Sequence, residues 1–328
     1  MVFITLGIES TAHTFGVSIV KDTKILSNER HMYKTKKGGI IPAQLSEHHV
    51  KHCDEVLKHA LKKAEVSIED ADLVAFSQSP GIGHALRIGA TMARSISLLH
   101  NIPLIGVNHC IAHLEIGKWF SKGKDPILLY CSGANTQIIA YEAGKYRIFG
   151  ETLDTGIGNF LDSFGRELGL GFPAGPEIEK LAKKSRNYIV LPYSVKGMDL
   201  SFSGIFTNLR NKIKSKKFKK EDLCFSTQET VFAMLVEVAE RAMAHCDKKE
   251  LVLGGGVACN KRLQEMCRIM CKDRGAKLFV PENQYLIDNA AMIAVTGKIM
   301  FDAGNVTKIK DSSIKPYERT DDVVVNWR

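Results

Sequence analysis

The chain is short of several things that would have fixed its class at once. No apolar run exceeds about six residues, far below the ~20 that span a bilayer, so a helical membrane protein is excluded. The cysteines at 53, 110, 131, 224, 246, 259, 267 and 271 are scattered with no Cys-x-x-Cys, which points to ordinary reduced thiols rather than zinc fingers or a disulfide framework. The opening apolar run, residues 3–8, has no basic region, apolar core and small-residue cleavage site, so no export signal is expected and the location should be cytoplasmic. There is no His-Glu-x-x-His: Cys110 follows His109, and a zinc protease of the usual kind would lack its base. Ser79-Pro80-Gly81-Ile82-Gly83 has the shape of a phosphate loop but no Walker lysine.

What remains is ordinary in bulk. With 328 residues, 45 % apolar and 25 % charged, the chain is long enough for about two globular cores. A formal charge of +9 favours a polyanionic partner such as nucleic acid without specifying one.

The most informative stretch is residues 103–122. Ile102, Leu104, Ile105 and Val107 read as a buried strand, Asn108 as a helix cap, and His109 onward as a helix. A spacing of four puts His109 and His113 on one face, within reach of one ion. The positive end of the helix disfavours imidazolium, leaving the neutral form that a metal needs. Around this stretch, residues 3–8, 15–20 and 25–30 form a strand meander, followed by a flexible basic loop at Lys36-Lys37-Gly38-Gly39. A helix over about 44–64, a strand at 72–77, a glycine turn and a helix over about 84–100 come next. The same order then recurs, with strands at 128–131, 138–141 and 146–149, a long helix over about 227–245, a strand at 250–253 and a glycine turn at 254–256. A helix over about 260–272, a strand at 277–280 and a helix from about Asp288 close the series.

The repetition predicts two α/β lobes with ligands at the strand ends. The expected division is an N-terminal lobe (1–125), a C-terminal lobe (126–300) with a basic helical insertion at about 186–221, and a tail (301–328) packing back on both. Asp288, opening the last helix as His109 opens its counterpart, should face the two histidines. The run from Lys212 to Lys220 is either a solvated helix end or a surface for phosphate backbone.

Taken together the motifs resemble the Kae1/TsaD/Qri7 family of tRNA N6-adenosine threonylcarbamoyltransferases, in its archaeal and eukaryotic branch. They are Gly38-Gly39-Ile40-x-Pro42, Glu47-His48-His49, Ser79-Pro80-Gly81-x-Gly83, Asn108-His109-x-x-x-His113-x-Glu115 and Ser132-Gly133-x-Asn135-Thr136-Gln137. Gly158-Asn159-x-x-Asp162, Pro173-x-Gly175-Pro176, Asp199-x-Ser201-Phe202-Ser203-Gly204, Gly255-Gly256-Val257-Ala258-x-Asn260 and Asp288-Asn289 complete the set. The resemblance implies the two-lobed actin/Hsp70/sugar-kinase-like fold (ASKHA) with duplicated ribonuclease-H-like lobes. It also implies one iron or zinc ion on His109, His113 and Asp288, joined by Tyr130. A nucleotide site on Ser132, Gly133, Asn135, Asp162, Gly175, Glu179 and Asn260 would take threonylcarbamoyl-AMP, ATP or analogues.

The reaction so implied moves a threonylcarbamoyl group from threonylcarbamoyl-AMP to N6 of adenosine 37, in tRNAs whose codons start with adenine. His13 is the candidate for collecting the amine proton, and Glu115 is a candidate for orienting a metal ligand. Expected partners are tRNA, a Bud32-type kinase as a separate chain, and Pcc1 and Cgi121 subunits of the KEOPS assembly. The sequence departs from the family at Ala134 and Ala174, where glycine is usual and an added methyl should narrow the pocket, and at Ile287, where an arginine is usual. The rivals are an ATPase or small-molecule kinase of the same superfamily, a metalloprotease, and a non-catalytic nucleic-acid scaffold.

Overall fold

The computed structural model describes residues 2–35 and 40–328, so the basic loop read at Lys36–Gly39 lies outside the described residues. The first half runs β1 (Ile4–Glu9), β2 (Thr14–Lys21), β3 (Lys24–Met32), α1 (Pro42–Ala64), β4 (Leu73–Ser79), α2 (Gly83–His100), β5 (Leu104–Asn108) and α3 (His109–Ser121). The second opens with β6 (Ile127–Cys131), β7 (Thr136–Glu142), β8 (Lys145–Glu151), α4 (Ile157–Glu167) and α5 (Gly175–Ala182). It continues through a two-stranded hairpin, β9 (Val195–Lys196) and β10 (Asp199–Leu200), to α6 (Ser203–Ser215) and α7 (Lys220–His245). It closes with β11 (Glu250–Gly254), α8 (Lys261–Asp273), β12 (Lys277–Phe279), α9 (Asn283–Leu286) and α10 (Ala290–Asp302).

Both halves build the same sheet. The order β3-β2-β1-β4-β5 is repeated as β8-β7-β6-β11-β12. In each, the hairpin-linked strands pair antiparallel, and the strands reached through helices pair parallel. Central strands are buried on both faces, as continuous apolar runs such as Ile127–Cys131 require.

Two helices lie between the sheets. α3 is buried from His109 through Gly117, with the polar side chains of His109, His113 and Glu115 among its apolar ones. Its Ala112 and Ile116 join a cluster with Ile105 and Val107, while Ile111 and Leu114 join one with Leu128, Tyr130 and Val252. α10 closes on the first sheet although it ends the second half. A Cβ on Gly7 would sit 2.5 Å from the Ala290 carbonyl, and one on Gly297 would sit 2.4 Å from Ala75 Cβ. Small residues at these contacts let the backbones approach closely, which a larger side chain would prevent. No helix among the described residues is long and apolar enough to cross a membrane.

Three boundaries differ from those expected. α7 starts at Lys220, not near Thr227, because Glu221 and Asp222 favour a helix N-terminus. α10 starts at Ala290, because Asn289 caps it by accepting from the Met292 amide at 3.1 Å. Asp288 therefore stands in the turn before the helix instead of opening it. Within 186–221 only α6 and the first residues of α7 are helical. Residues 186–194 are irregular, carrying β-branched and aromatic residues with Pro192, and are tied to α7 by the Ile189 amide donating to Ser226 Oγ at 2.7 Å.

The tail crosses both halves. Gln78 Nε2 donates to the carbonyls of Asp311 and Ser313 at 3.0 and 2.8 Å, and the Arg94 guanidinium to the Ser312 carbonyl. Farther on, Val323, Val325 and Trp327 pack beside Tyr146.

Candidate active site

β5 ends in Asn108, whose side chain accepts from the Cys110 and Ile111 amides at 3.0 and 3.2 Å and so starts α3. That cap aims His109 and His113 along one face, their rings 4.8 Å apart and nearly perpendicular. The absence of a side chain at Gly254 leaves room for His113, since a Cβ there would stand 3.3 Å from His113 Cβ. Asp288 arrives from the far end of the chain. Its Oδ1 is 3.2 Å from His109 Nε2 and 3.5 Å from His113 Nε2. Tyr130, at the end of β6, has its hydroxyl 3.1 Å from His109 Nε2.

The histidines and Tyr130 are buried and Asp288 is nearly so. Both ring nitrogens of His113 are buried without a hydrogen-bond partner among the described residues. Ligand atoms of His109, His113 and Asp288 lie within 4.8 Å of one another. A buried imidazole with nothing to bond to costs stability unless something fills the gap. Two nitrogens, a carboxylate and a phenol oxygen suit zinc or iron, so the residues fit a divalent ion.

Glu9 completes the group, and sequence reasoning had given it no place here. Fully buried on β1, it sets Oε2 2.9 Å from His109 Nδ1, while its Oε1 accepts from the Thr11 amide and hydroxyl at 2.7 and 2.5 Å. Burial would lower the affinity of His109 for its proton, but the carboxylates of Glu9 and Asp288 outweigh it and hold the imidazolium well above the usual histidine value of 6.5. The expectation that the helix start keeps His109 neutral is thus corrected for the metal-free protein, because two close carboxylates exceed half a helix-end charge. Burial lowers His113, and His109 beside it adds to the effect. Burial raises Tyr130 well above 10. Asp288 resists burial because the adjacent His109 holds its carboxyl well below the carboxylate range.

The other expected site residues fall into two places. His13 is close by, its Nδ1 3.9 Å from Asp288 Oδ2, and it is partly exposed. The nucleotide candidates form a connected series on the second half. The Ser132 and Gly133 carbonyls accept from the Gly158 and Asn159 amides at 2.9 Å each, and the Asn135 amide donates to Ser132 Oγ at 3.2 Å. Asp162 Oδ1 accepts from the Ala174 amide at 2.7 Å, next to Gly175 at the start of α5. Glu179 Oε1 accepts from the Lys261 amide at 3.3 Å, beside Asn260, which caps α8. The series therefore joins the starts of α4, α5 and α8, and it takes up the Gly158, Asn159 and Lys261 amides there. Asp162 is pushed up by burial.

Glu115 is elsewhere. It accepts from the Tyr146 hydroxyl and lies 3.4 Å from Arg328 Nε, so it orients no group at the histidine pair. The methyl of Ala174 does not narrow a pocket. It is buried at φ −84°, packed where a Cβ on Gly165 would come within 2.2 Å. Near Ile287, Arg30 of β3 donates to the Gln284 carbonyl at 3.0 Å.

Residues 24–295 match the family described as TsaD: tRNA N6-adenosine threonylcarbamoyltransferase. A Thermococcus kodakarensis protein of that name is 56 % identical over 324 residues, covering 99 % of each chain. A Methanosarcina mazei protein named probable bifunctional tRNA threonylcarbamoyladenosine biosynthesis protein is 53 % identical over 98 % of this chain, which spans 59 % of that protein. Among solved structures, T. kodakarensis HypF superposes with a TM-score of 0.67 at 14 % identity, over 91 % of this chain and 47 % of that one. Component A of the Acidaminococcus fermentans (R)-2-hydroxyglutaryl-CoA dehydratase superposes with a TM-score of 0.57 at 16 % identity, over 90 % and 97 % of the two chains. At such identities the structures speak for the fold alone, the two-lobed actin/Hsp70/sugar-kinase-like arrangement. The relatives speak for more: the chain belongs to the TsaD family of tRNA N6-adenosine threonylcarbamoyltransferases, in its archaeal branch.

Proposed function

We propose that this chain transfers a threonylcarbamoyl group to N6 of adenosine 37 in tRNAs reading codons that start with adenine, with threonylcarbamoyl-AMP as donor. The observation that carries the reading is the buried His109–His113–Asp288 group in a chain matched end to end by enzymes of that name. N6 of the base forms a bond to the carbamoyl carbon, the bond from that carbon to the phosphate oxygen breaks, and AMP leaves with its electron pair. Adenine's amine is a poor nucleophile, so orientation and charge stabilisation at the carbonyl must supply most of the rate.

His109, His113, Asp288 and Tyr130 would hold one iron or zinc ion. When bound, such an ion supplies a fixed positive charge that orients and polarises a donor oxygen. Glu9 keeps the His109 ring in register through Nδ1. His13, partly exposed beside Asp288, would take the proton lost by N6. Ser132, Gly133, Asn135, Asp162, Gly175, Glu179 and Asn260 would hold the adenylate against the helix starts they join.

The Methanosarcina relative is named bifunctional, and this chain spans 59 % of it, so that protein carries a further segment beside the shared one; we propose that the matching second role is a kinase's. We assign that role to a separate Bud32-type chain, with Pcc1- and Cgi121-type subunits completing the assembly, and we place it in the cytoplasm with its tRNA. The test is mass analysis of nucleosides from unmodified tRNA incubated with the protein, partners, metal and threonylcarbamoyl-AMP. The expected result is a threonylcarbamoyl mass gain at adenosine 37. ATP turnover without that gain would favour a kinase-like enzyme instead.

A further inference from the structure

A second cluster of histidines stands apart from the site just described, where β3 meets α1. His48 and His52 repeat on α1 the spacing of His109 and His113 on α3, and His31 joins them from the neighbouring strand. Ligand atoms of these three lie within 4.8 Å of one another. His31 and His52 stack with centroids 3.7 Å apart, and they line a surface hollow of about 760 Å³.

The hydrogen bonds set which nitrogens carry lone pairs. His49 Nε2 is 3.0 Å from the Ala12 carbonyl, which can only accept, so this nitrogen holds the hydrogen and His49 Nδ1 is an acceptor. His48 Nδ1, 3.1 Å away, must then donate to it, which leaves His48 Nε2 with a lone pair turned towards His31. His31 Nδ1 lies 2.7 Å from that lone pair and donates to it. His52 Nδ1 is buried without a hydrogen-bond partner among the described residues, 3.5 Å from a Glu55 carboxylate oxygen. The tautomers are inferred from the network, and the network is the kind that holds a metal-ligating imidazole in place, its far nitrogen donating to a fixed acceptor.

We infer that His31, His48 and His52 form a second site for a divalent transition metal of the zinc, cobalt or nickel class, with Glu55 or solvent at the fourth position. Binding exchanges the His31–His48 hydrogen bond for two metal–nitrogen bonds, and the hydrogen on His31 Nδ1 passes through solvent to its Nε2. The two nitrogens would separate from 2.7 Å to about 3.3 Å, the tetrahedral edge for a Zn–N bond near 2.05 Å. The surrounding charges are mixed. Arg30, Lys34 and Lys51 oppose a cation, while Glu47 and Glu55 favour one. Three borderline nitrogen ligands select against magnesium and calcium, which prefer oxygen.

The test needs neither tRNA nor activity, so it stands or falls separately from the proposed reaction. Untagged full-length protein, stripped of metal, is titrated with Zn²⁺ against a chromophoric chelator and with Co²⁺ by visible absorption. Wild type should take up two equivalents, and H31A/H52A and H109A/H113A one each. H52Q, which preserves side-chain bulk, should weaken the second equivalent at least tenfold with unchanged thermal unfolding of the metal-free protein. A single equivalent in wild type that H31A/H52A still binds, or two retained in H31A/H52A, would overturn the site.

Discussion

Glu9 and His109 meet at 2.9 Å in a fully buried pocket, the carboxylate on the first strand and the imidazole on the first residue of α3. The pairing leaves His109 Nε2 to face Asp288 and Tyr130. Glu9→Gln keeps the shape and an oxygen for Thr11 but removes the charge. Metal affinity should fall about 10–100-fold, as losses of such supporting partners commonly cause. Chelator competition would measure it, and an affinity equal to wild type would show that Glu9 has no hold on the ion.

Proton and metal compete for this imidazole. In the metal-free protein His109 is raised well above 6.5, since Glu9 and Asp288 outweigh burial. A raised folded value means that its contribution to stability is fully present below about 6.5 and is lost as pH climbs through the folded value. Metal needs the neutral ring, so binding expels a proton and apparent affinity should rise by about tenfold per pH unit across that window. The gap in melting temperature between loaded and metal-free protein should therefore widen from pH 6.5 to 8. A gap independent of pH would mean that no proton is displaced.

Much of this was legible in residues close together in the chain. The Asn108 cap, the histidine spacing and the repeated strand order are local patterns, and they led to α3 and the two matching sheets. What escaped was set by distant contacts. Glu9 reads as any strand-end carboxylate until β4 and β5 order the sheet so that His109, just after the end of β5, meets it. Glu115 reads as a neighbour of His113, yet its helical angle sends it to Tyr146. Ala174 reads as a pocket residue, but Gly165 receives its methyl in the core. His31 has no pattern at all until β3 lies along α1.

The position of Asp288 depends on how closely α10 lies on β1. Gly7→Ala would press a methyl to 2.5 Å from the Ala290 carbonyl and 2.8 Å from Ala294 Cβ. These are backbone and packed side-chain atoms, so the helix must move. The expected cost is about 1–3 kcal/mol of stability, the usual range for overpacking. Metal affinity should drop as well, because Asp288 precedes the displaced helix by two residues. Denaturant unfolding and metal titration check both, and a destabilised variant with wild-type affinity would uncouple α10 from the carboxylate.

The basic segment after α6 poses a sharper choice. Lys214 in the last turn of α6 and Lys216, Lys217 and Lys219 on the turn that follows are exposed, whereas Lys220 is engaged with the Leu168 carbonyl at 2.8 Å. If the four lysines meet phosphates, replacing them with glutamine should weaken tRNA binding similarly for every tRNA and flatten the plot of log affinity against log salt. Each lost contact contributes about 0.7–0.9 to that slope, so a loss of two to three contacts would change it by roughly 2. Turnover at saturating tRNA should change little, because these side chains are not at the histidine pair. A salt slope identical to wild type would make the lysines a solvated helix end, and the phosphate contacts would have to be sought on another face of the +9 chain.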